Sequence, residues 1–297
     1  MPSLRPIAPA QETKMRFDGA GEAPATPDQS TNWQATNSHD ARLLTEARLQ
    51  LHHAAQFGTA MGISYLKSEA DDSHTNLVWD AGLAAVMARA VDGKRGAGAV
   101  AVGIRVADLT LIVTRDGSPV TTIPLDGMTI AATADATLAQ LALEGLDPGR
   151  FTLARHFDIP AHPVARGAAF DAQDQDTFAE LSRWFGNTAL ELGRIAKTVP
   201  GASEIRVWPH HFDIATLITI GPGASTGAGM VPGDGYYDEP YFYVNTYPQP
   251  LANQLTDPLA GSGMWHTRDW IGAMLPGSRV GGSAAEQEAQ VQAFLDA

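Results

Sequence analysis

Cysteine is absent from the 297-residue chain, and this absence excludes several classes of site. Disulfides, thiolate zinc sites, iron–sulfur clusters and cysteine nucleophiles all need a cysteine sulfur. A bound metal would therefore be held by His, Asp and Glu side chains. Zinc, manganese and iron are the divalent metals that suit such nitrogen and oxygen ligands.

Long apolar runs and clusters of basic residues are also missing. No stretch of about 18 uncharged apolar residues occurs, and the N-terminus has no apolar centre of the kind found in a signal peptide. The net charge of −13 repels phosphate backbones and anionic lipid headgroups. We therefore expect a cytoplasmic protein with no nucleic-acid and no membrane partner.

Branched aliphatic residues are scarce in the first part of the chain. Residues 1–37 are rich in Pro, Ala, Ser, Thr, Gln and Gly, and such a segment buries too little apolar surface to fold alone. We interpret it as an extended or flexible arm, which Trp33 could pin to the rest of the protein or to a neighbouring chain. Residues 38–297 suffice for a single α+β domain, with candidate halves 38–150 and 151–297.

The spacing of apolar residues predicts four helices in this domain. The first covers 40–66, the second contains the run ATADATLAQLALEGL, and the third covers about 174–197. The last helix begins at Ser283, and Glu286 three residues later completes a capping box.

Segments that favour strands lie between these helices. The run LVWDAGLAAVMARAV is interpreted as a strand, although its alanines would also suit a helix. The run AVAVGIRVADLTLIVTRDGSPVTTIPL alternates around an Asp116-Gly117 hairpin turn. The run RVWPHHFDIATLITI predicts a buried strand, followed by GPGASTGAG as a mobile connection or lid. Together these segments predict an α+β fold in which an antiparallel sheet packs against helices.

The two halves resemble each other weakly. Each has a helix followed by an aromatic–Asp pair, Trp79-Asp80 in the first half and Phe212-Asp213 in the second. The pattern favours a duplicated helix-strand-strand unit with pseudo-two-fold symmetry. Chance is the alternative, because two such short pairs arise easily by accident.

The segment from Trp208 to Asp213 carries the densest set of candidate site residues. On one strand His211 and Asp213 would share a face, about 7 Å apart at their Cα atoms, with His210 on the opposite face. An imidazole and a carboxylate so placed can ligate one metal or act as an oriented general base. The alternative is a structural His–Asp hydrogen bond. Trp208 and His210 are candidate ligand contacts.

A second candidate cluster is the polar segment that precedes the first-half strand. His74 lies in it beside Asp71 and Asp72, and it is the candidate third metal ligand or second catalytic imidazole. Asp80 would face the same layer as Asp213 if the two halves are related. The alternative is an ordinary turn whose polar side chains cap the chain.

Five of the six tyrosines fall between residues 236 and 247. Tyr241 and Tyr243, beside Asp234 and Glu239, could form a wall that binds a ring-bearing or sugar-like small molecule. An ordinary two-faced strand and a subunit contact in a homo-oligomer are the alternatives.

Two adjacent histidines, His52 and His53, lie in the first predicted helix. Neighbouring helical residues diverge by about 100°, so these two side chains cannot easily ligate one metal. We expect one of them to be half-buried and the other to face water.

The order of these motifs resembles a widespread bacterial family known only as a domain of unknown function. The likeness covers residues 45–296 and rests on WPHHFDIA, on DDSHTNLVWD after an LHxxxQ helix, and on GAGMVPGDGYYDEPYFYVNTYPQP. It implies a shared fold and a shared site, and it implies no particular activity. The positions that match are Trp79, Phe212, Asp213, Pro232, Gly233, Glu239, Pro240 and Tyr243.

Two functions are compatible with these patterns. The first is a metal-assisted hydrolase or general-base enzyme for a small organic molecule, which would use His211, Asp213 and His74, with Glu239 or Asp234 closing the site. The second is a non-catalytic small-molecule-binding or assembly module with a tyrosine-rich pocket, in which the histidines only form hydrogen bonds.

Overall fold

The structure, a computed structural model, describes most of the chain from residue 32 onward. The described residues are 32–37, 41–93, 98–255, 259 and 261–297, without the side chains of Ala41 and Gln254. They belong to one compact unit, Thr31–Ala297, and residues 1–31 lie outside the described residues. Of the predicted arm, only residues 32–37 can be compared with the structure.

Four α-helices lie in the described part of the chain, close to where the apolar spacing predicts them. They are α1 Ala41–Tyr65, α2 Ile130–Leu143, α3 Gln175–Thr198 and α4 Ala284–Leu295. The predicted capping box is present, with the Ser283 side chain accepting from the backbone of Glu286 while the Glu286 side chain accepts from the backbone of Ser283.

Twelve strands form a single sheet in the described residues. Those of the first half are β1 Leu77–Asp80, β2 Ala85–Ala88, β3 Val91–Asp92, β4 Ala99–Arg105, β5 Thr110–Arg115 and β6 Ser118–Pro124. Those of the second half are β7 Arg206–Trp208, β8 Asp213–Gly221, β9 Ala224–Val231, β10 Tyr241–Tyr247, β11 Met264–His266 and β12 Gly272–Pro276.

Every pair of neighbouring strands in this sheet is antiparallel, which confirms the predicted α+β class. The strand order is β11-β12-β10-β9-β8-β7-β1-β2-β4-β5-β6, and β3 pairs with β4. The strands of each half therefore lie next to one another, and the two sets adjoin edge to edge at the pair of β7 and β1. They meet where Leu77 of β1 lies opposite Val207 of β7.

Each half runs helix, six strands, helix along the chain. The aromatic–Asp pairs nevertheless occupy different places, because Asp80 ends the first strand of its half whereas Asp213 begins the second strand of its half. The two aspartates therefore do not correspond in position, and an internal duplication remains a prediction.

One face of the sheet forms the core with α1 and α3. Cross-strand pairing aligns a row of side chains that are at most 1% exposed: Leu77, Val207, Ile214, Met230, Phe242 and Leu275. They belong to the same buried cluster as Leu51 of α1 and Phe185 of α3, and each contributes about 1.5–3 kcal/mol on burial. Because side chains alternate along a strand, their neighbours Asp213, Tyr241 and Tyr243 point to the other face.

Both segments predicted as single strands are broken by turns. LVWDAGLAAVMARAV forms β1 and β2 with residues 81–84 between them and ends at the start of β3, and RVWPHHFDIATLITI forms β7 and β8. β7 ends at Trp208 and β8 begins at Asp213, so residues 209–212 connect them. The backbone N–H of Phe212 donates to the carbonyl of Trp208 at 2.7 Å, and Phe212 has a φ of 61°. The prediction that His211 and Asp213 are placed on one face by strand alternation is therefore wrong.

The glycine-rich segment after β8 is also a strand rather than a mobile connection or lid. β8 ends at Gly221 and β9 begins at Ala224, so only Pro222 and Gly223 form the turn, with Gly223 at a φ of 69°. β9 then pairs with β8 on one side and β10 on the other along most of its length. Because β9 is paired on both of its edges, it is an internal strand of the sheet.

Residues 32–37 are anchored to α3 and α4 by hydrogen bonds. Trp33 is only 3% exposed, and its indole N–H donates to the side-chain oxygen of Gln287 at 3.3 Å. The side chain of Asn187 accepts from the backbone N–H of Gln34 at 2.9 Å and donates to its carbonyl at 2.7 Å. Trp33 therefore pins this segment to the body of the protein, one of the two roles expected for it.

Candidate functional site

A cavity of about 680 Å³ lies where β8 begins, β9 ends and β10 passes, on the side of α1 nearer its N-terminus. This volume is typical of a site for a small organic molecule. Its lining comes from α1, the β7–β8 turn, β8, β9, β10 and three loops: Arg48, Leu49, His52, Pro160, Ala161, His210, His211, Phe212, Asp213, Val231, Gly233, Asp234, Gly235, Tyr236, Tyr241, Tyr243, Asn245, Asp269 and Trp270.

Asp213 and Tyr243 form the central polar pair of this cavity. The Tyr243 hydroxyl donates to Oδ2 of Asp213 at 2.6 Å. Asp213 is 6% exposed, and its Oδ1 is buried without a hydrogen-bond partner. Burial raises the pKa of Asp213 above its usual value, and the Tyr243 hydrogen bond and the nearby His211 oppose this shift. Burial and the adjacent carboxyl group also raise the pKa of Tyr243, so the phenol keeps its proton.

A glycine on the intervening strand allows this pair to form. Tyr243 on β10 lies opposite Gly229 on β9, which in turn lies opposite Ala215 on β8. Strands are about 4.8 Å apart, so the phenol must cross a whole strand to reach Asp213. A Cβ at Gly229 would lie 3.0 Å from a ring carbon of Tyr243 and 2.5 Å from the carbonyl oxygen of Ile214. The bare backbone of Gly229 therefore leaves the space in which the ring lies.

Asp234 has a structural role at the cavity wall. Its Oδ1 accepts from the backbone N–H groups of Tyr236 and Tyr237, at 2.7 and 3.0 Å. Its Oδ2 accepts from the Tyr241 hydroxyl at 2.8 Å. Burial, followed by the charge of Asp234, raises the pKa of Tyr241. The carboxylate thus holds the loop and the strand that follows it, as an Asx turn does.

The two histidines of the β7–β8 turn line the cavity but do not pair with Asp213. His210 is half-buried and His211 is exposed, with ring centroids 4.2 Å apart. No hydrogen bond joins His211 to Asp213, since the left-handed conformation of Phe212 reverses the chain between them. Burial and the neighbouring His211 lower the pKa of His210. The general-base pair predicted from the spacing is not formed.

The adjacent histidines of α1 hold two of the loops that line the cavity. His52 donates from Nε2 to the carbonyl of Pro209 at 2.8 Å, and His53 donates from Nε2 to the carbonyl of Pro160 at 2.9 Å. Both are buried, at 3% and 4% exposure, so the expectation that one faces water is wrong. Burial lowers the pKa of His52 to about 3, which keeps its ring neutral. Their divergence on the helix directs each ring to a different loop.

His74 lies away from the cavity. Its ring Nδ1 accepts from the backbone N–H of Glu69 at 3.2 Å, and its carbonyl lies directly against Gly62 of α1. Gly62 is ten residues beyond His52, which corresponds to about 15 Å along a helix. The structure therefore does not bring His74 to His211 and Asp213.

The remaining predicted residues outside this cavity have local roles. Asp80 accepts from the backbone N–H of Leu83 at 3.0 Å in the β1–β2 turn. Glu239 accepts from the backbone N–H and hydroxyl of Ser278, at 2.5 and 3.0 Å, and lines a separate cavity of about 450 Å³. Trp208 is half-buried and contacts His210 edge-on, with ring centroids 6.1 Å apart. None of the three lines the larger cavity.

The predicted metal ligands are not assembled. Within the described part of the chain, no group of three or more His, Asp or Glu side chains is arranged to hold a metal ion. The set of His211, Asp213 and His74 is separated because each belongs to a different local structure: an exposed turn, a strand and a short 3₁₀ helix.

Several cavity residues were not predicted from the sequence, including Arg48, Asn245 and Trp270. Trp270 stacks on His266 with ring centroids 4.2 Å apart and an interplanar angle of 16°. His266 accepts from the Tyr237 hydroxyl at 2.8 Å and donates to the carbonyl of Arg268 at 2.5 Å, which fixes the ring that supports Trp270. The density of aromatic and charged residues in MWHTRDW is the sequence signal that could have pointed to Trp270.

Comparison of the chain with protein-family models, curated proteins and solved structures gives no match. The resemblance to a bacterial domain family therefore stays a prediction. Among the described residues, no helix has the length and apolar character needed to cross a membrane.

Proposed function

We propose that this protein binds a small organic molecule in the larger cavity and that Asp213 is the central polar contact. The observation that supports this most strongly is the Asp213 carboxyl group itself, held at Oδ2 by Tyr243 and without a partner at Oδ1. An unsatisfied buried polar group costs about 1–3 kcal/mol of stability. A ligand hydroxyl or amine that donates to Oδ1 would offset this cost.

The surroundings of Asp213 support a binding role. Tyr241, Tyr243 and Trp270 present aromatic surface to the cavity, and each is held by a hydrogen bond or a stacked ring. Such rigid aromatic walls bind ring-bearing ligands at little cost in conformational entropy. The predicted tyrosine-rich pocket is the better supported of the two functions for this reason.

Acid–base catalysis by Asp213 is the second candidate. Burial raises the pKa of its carboxyl group above its usual value, which is the direction of shift that favours a carboxyl group as a general acid. The Tyr243 hydroxyl would stabilise the carboxylate after it gives up its proton. In this form of the proposal Asp213, rather than a metal-bound water, exchanges a proton with the substrate.

The test is a thermal-shift screen with a panel of sugars, nucleosides, cyclic alcohols and aromatic amines. We expect at least one compound to raise the melting temperature of the parent protein, because a ligand that binds only the folded state stabilises it. The same compound should have no effect on Asp213→Asn. Asp80→Asn is the matched control, since it makes the same chemical change outside the cavity and should keep the shift.

Two results decide between the candidates and against the proposal. Conversion of a bound compound, followed by NMR and lost in Asp213→Asn, would identify the site as catalytic. A panel in which no compound gives a shift that depends on Asp213 would contradict the proposed function.

A further inference from the structure

We infer that the ligand of this cavity carries a protonated amine, which lies against the carboxyl group of Asp213 and the rings of Tyr243 and Trp270. This inference rests on the proposed function and adds the charge of the ligand.

The charges that line the cavity are predominantly negative. Three carboxyl groups and one guanidinium belong to the lining: Asp213, Asp234, Asp269 and Arg48. The guanidinium of Arg48 donates to the carbonyl of Gly233, and its charge is attracted by Asp234 and Asp238, although its Nε has no hydrogen-bond partner. Asp213 keeps one carboxyl oxygen without a partner. The polar centre is therefore suited to a donor group, and an ionic one gains most from a carboxylate.

The histidines of the cavity do not reverse this balance. His52 is buried and donates to the carbonyl of Pro209, and its pKa of about 3 keeps it neutral. The pKa of His210 is also lowered by burial, which favours the neutral ring. His211, the third histidine of the lining, is exposed, so an anionic ligand would meet three carboxyl groups and a single buried cation, Arg48.

Aromatic rings complete a site for a cation. Tyr236, Tyr241, Tyr243 and Trp270 all line the same cavity as Asp213. The negative face of an aromatic ring attracts a cation, by about 0.5–2 kcal/mol for each close contact. One ring of this wall already binds a cation from the protein, since the Arg268 guanidinium lies 5.4 Å from the centroid of Tyr236. A carboxyl group among such rings is the arrangement that recognises organic ammonium ions.

The experiment compares three probes of the same shape by isothermal titration calorimetry at pH 8: benzylamine, benzyl alcohol and benzoate. We expect benzylamine to bind at least about tenfold more tightly than benzyl alcohol, and benzoate to bind most weakly. In Asp213→Asn the affinity for benzylamine should fall to that for benzyl alcohol, while the affinity for benzyl alcohol changes little. Asp80→Asn should behave as the parent.

The outcomes separate this inference from the proposed function. Binding of benzyl alcohol or benzoate as tightly as benzylamine would overturn the inferred charge, and the cavity would remain a ligand site if Trp270→Ala abolishes that binding. A preference for benzylamine that persists in Asp213→Asn would also overturn it. Failure of all three probes to bind overturns the inference, whereas the proposed function falls only if the wider panel fails as well.

Discussion

At the scale of single residues, Asp213 combines burial with an incomplete set of hydrogen bonds. Its Oδ2 accepts from Tyr243, its Oδ1 has no partner, and burial raises its pKa. Such a carboxyl group lowers the stability of the folded protein once it is ionised. Residues that reduce stability are typical of binding and catalytic sites, where function maintains them.

We therefore predict that Asp213→Asn stabilises the folded protein at neutral pH. An unfolded Asp has a pKa of about 3.9, and burial raises the pKa of folded Asp213 above this value. The folded state then holds its proton to higher pH than the unfolded state, so the contribution of Asp213 to stability is lost as pH rises through the folded pKa. The variant should be more stable than the parent by about 1–3 kcal/mol at pH 8. The gain should shrink towards pH 4.

Urea unfolding at a series of pH values measures this difference. Asp80→Asn, which changes a half-buried carboxyl group in the β1–β2 turn, should show no gain that depends on pH in this way. An Asp213→Asn variant less stable than the parent at every pH would mean that the carboxyl group serves the fold rather than a ligand.

At the scale of elements, β9 determines whether the site can form. This strand lies between β8, which carries Asp213, and β10, which carries Tyr243. Its Gly229 has almost no room for a side chain, since a Cβ would lie 2.5 Å from the Ile214 carbonyl and 2.8 Å from the Cβ of Ala215. Glycine usually weakens a strand, but here it permits a contact between side chains of the two neighbouring strands, β8 and β10.

We predict that Gly229→Ala destabilises the protein by about 1–3 kcal/mol, the usual cost of overpacking. It should also displace Tyr243 and remove the ligand-dependent thermal shift. Gly221→Ala at the end of β8 is the control, because a Cβ there meets nothing within 4 Å. Urea unfolding and the thermal-shift screen measure the two effects. Equal stability of Gly229→Ala and Gly221→Ala would contradict this account of the pair.

At the scale of the whole compact unit, residues 32–37 join two helices that are distant in the sequence, α3 and α4. The side chains of Asn187 on α3 and Gln287 on α4 both bond to the backbone of residues 34–36, and Trp33 is buried beside them. Trp33 thus belongs to the core and Thr36 is buried, although the composition of this segment is that of an unstructured arm.

Trp33→Ala should therefore lower the free energy of unfolding by about 3–5 kcal/mol, as expected for the loss of a buried indole. Leu190→Ala on α3, where the side chain is 40% exposed, should change stability by no more than about 0.5 kcal/mol. The measurement is urea unfolding of both variants. A Trp33→Ala protein as stable as the parent would show that this segment does not support the fold.

The helices and hairpins were predictable because their signals are local. The apolar spacing of α1 predicted its bounds to within a residue at each end. At the β5–β6 turn, Asp116 and Gly117 both have positive φ values, of 50° and 78°, as their residue types favour. The β7–β8 turn carries no such signal. Phe212 adopts a left-handed conformation there, and its buried ring packs on His52 and Phe185, which offsets the local strain.

Composition and short-range pattern were thus sufficient to predict the α+β class and the helices, and to exclude thiol chemistry. They also marked Asp213, Tyr241 and Tyr243 as candidate site residues, in two separate clusters. The contact of Tyr243 with Asp213 across Gly229, and the exclusion of His74, depend on the register of three strands and on where α1 packs. Residue preferences act over a few positions of the chain, whereas these arrangements depend on segments far apart in it, as the 30 positions between Asp213 and Tyr243 show. For this reason they arise only when the sheet and helices come together.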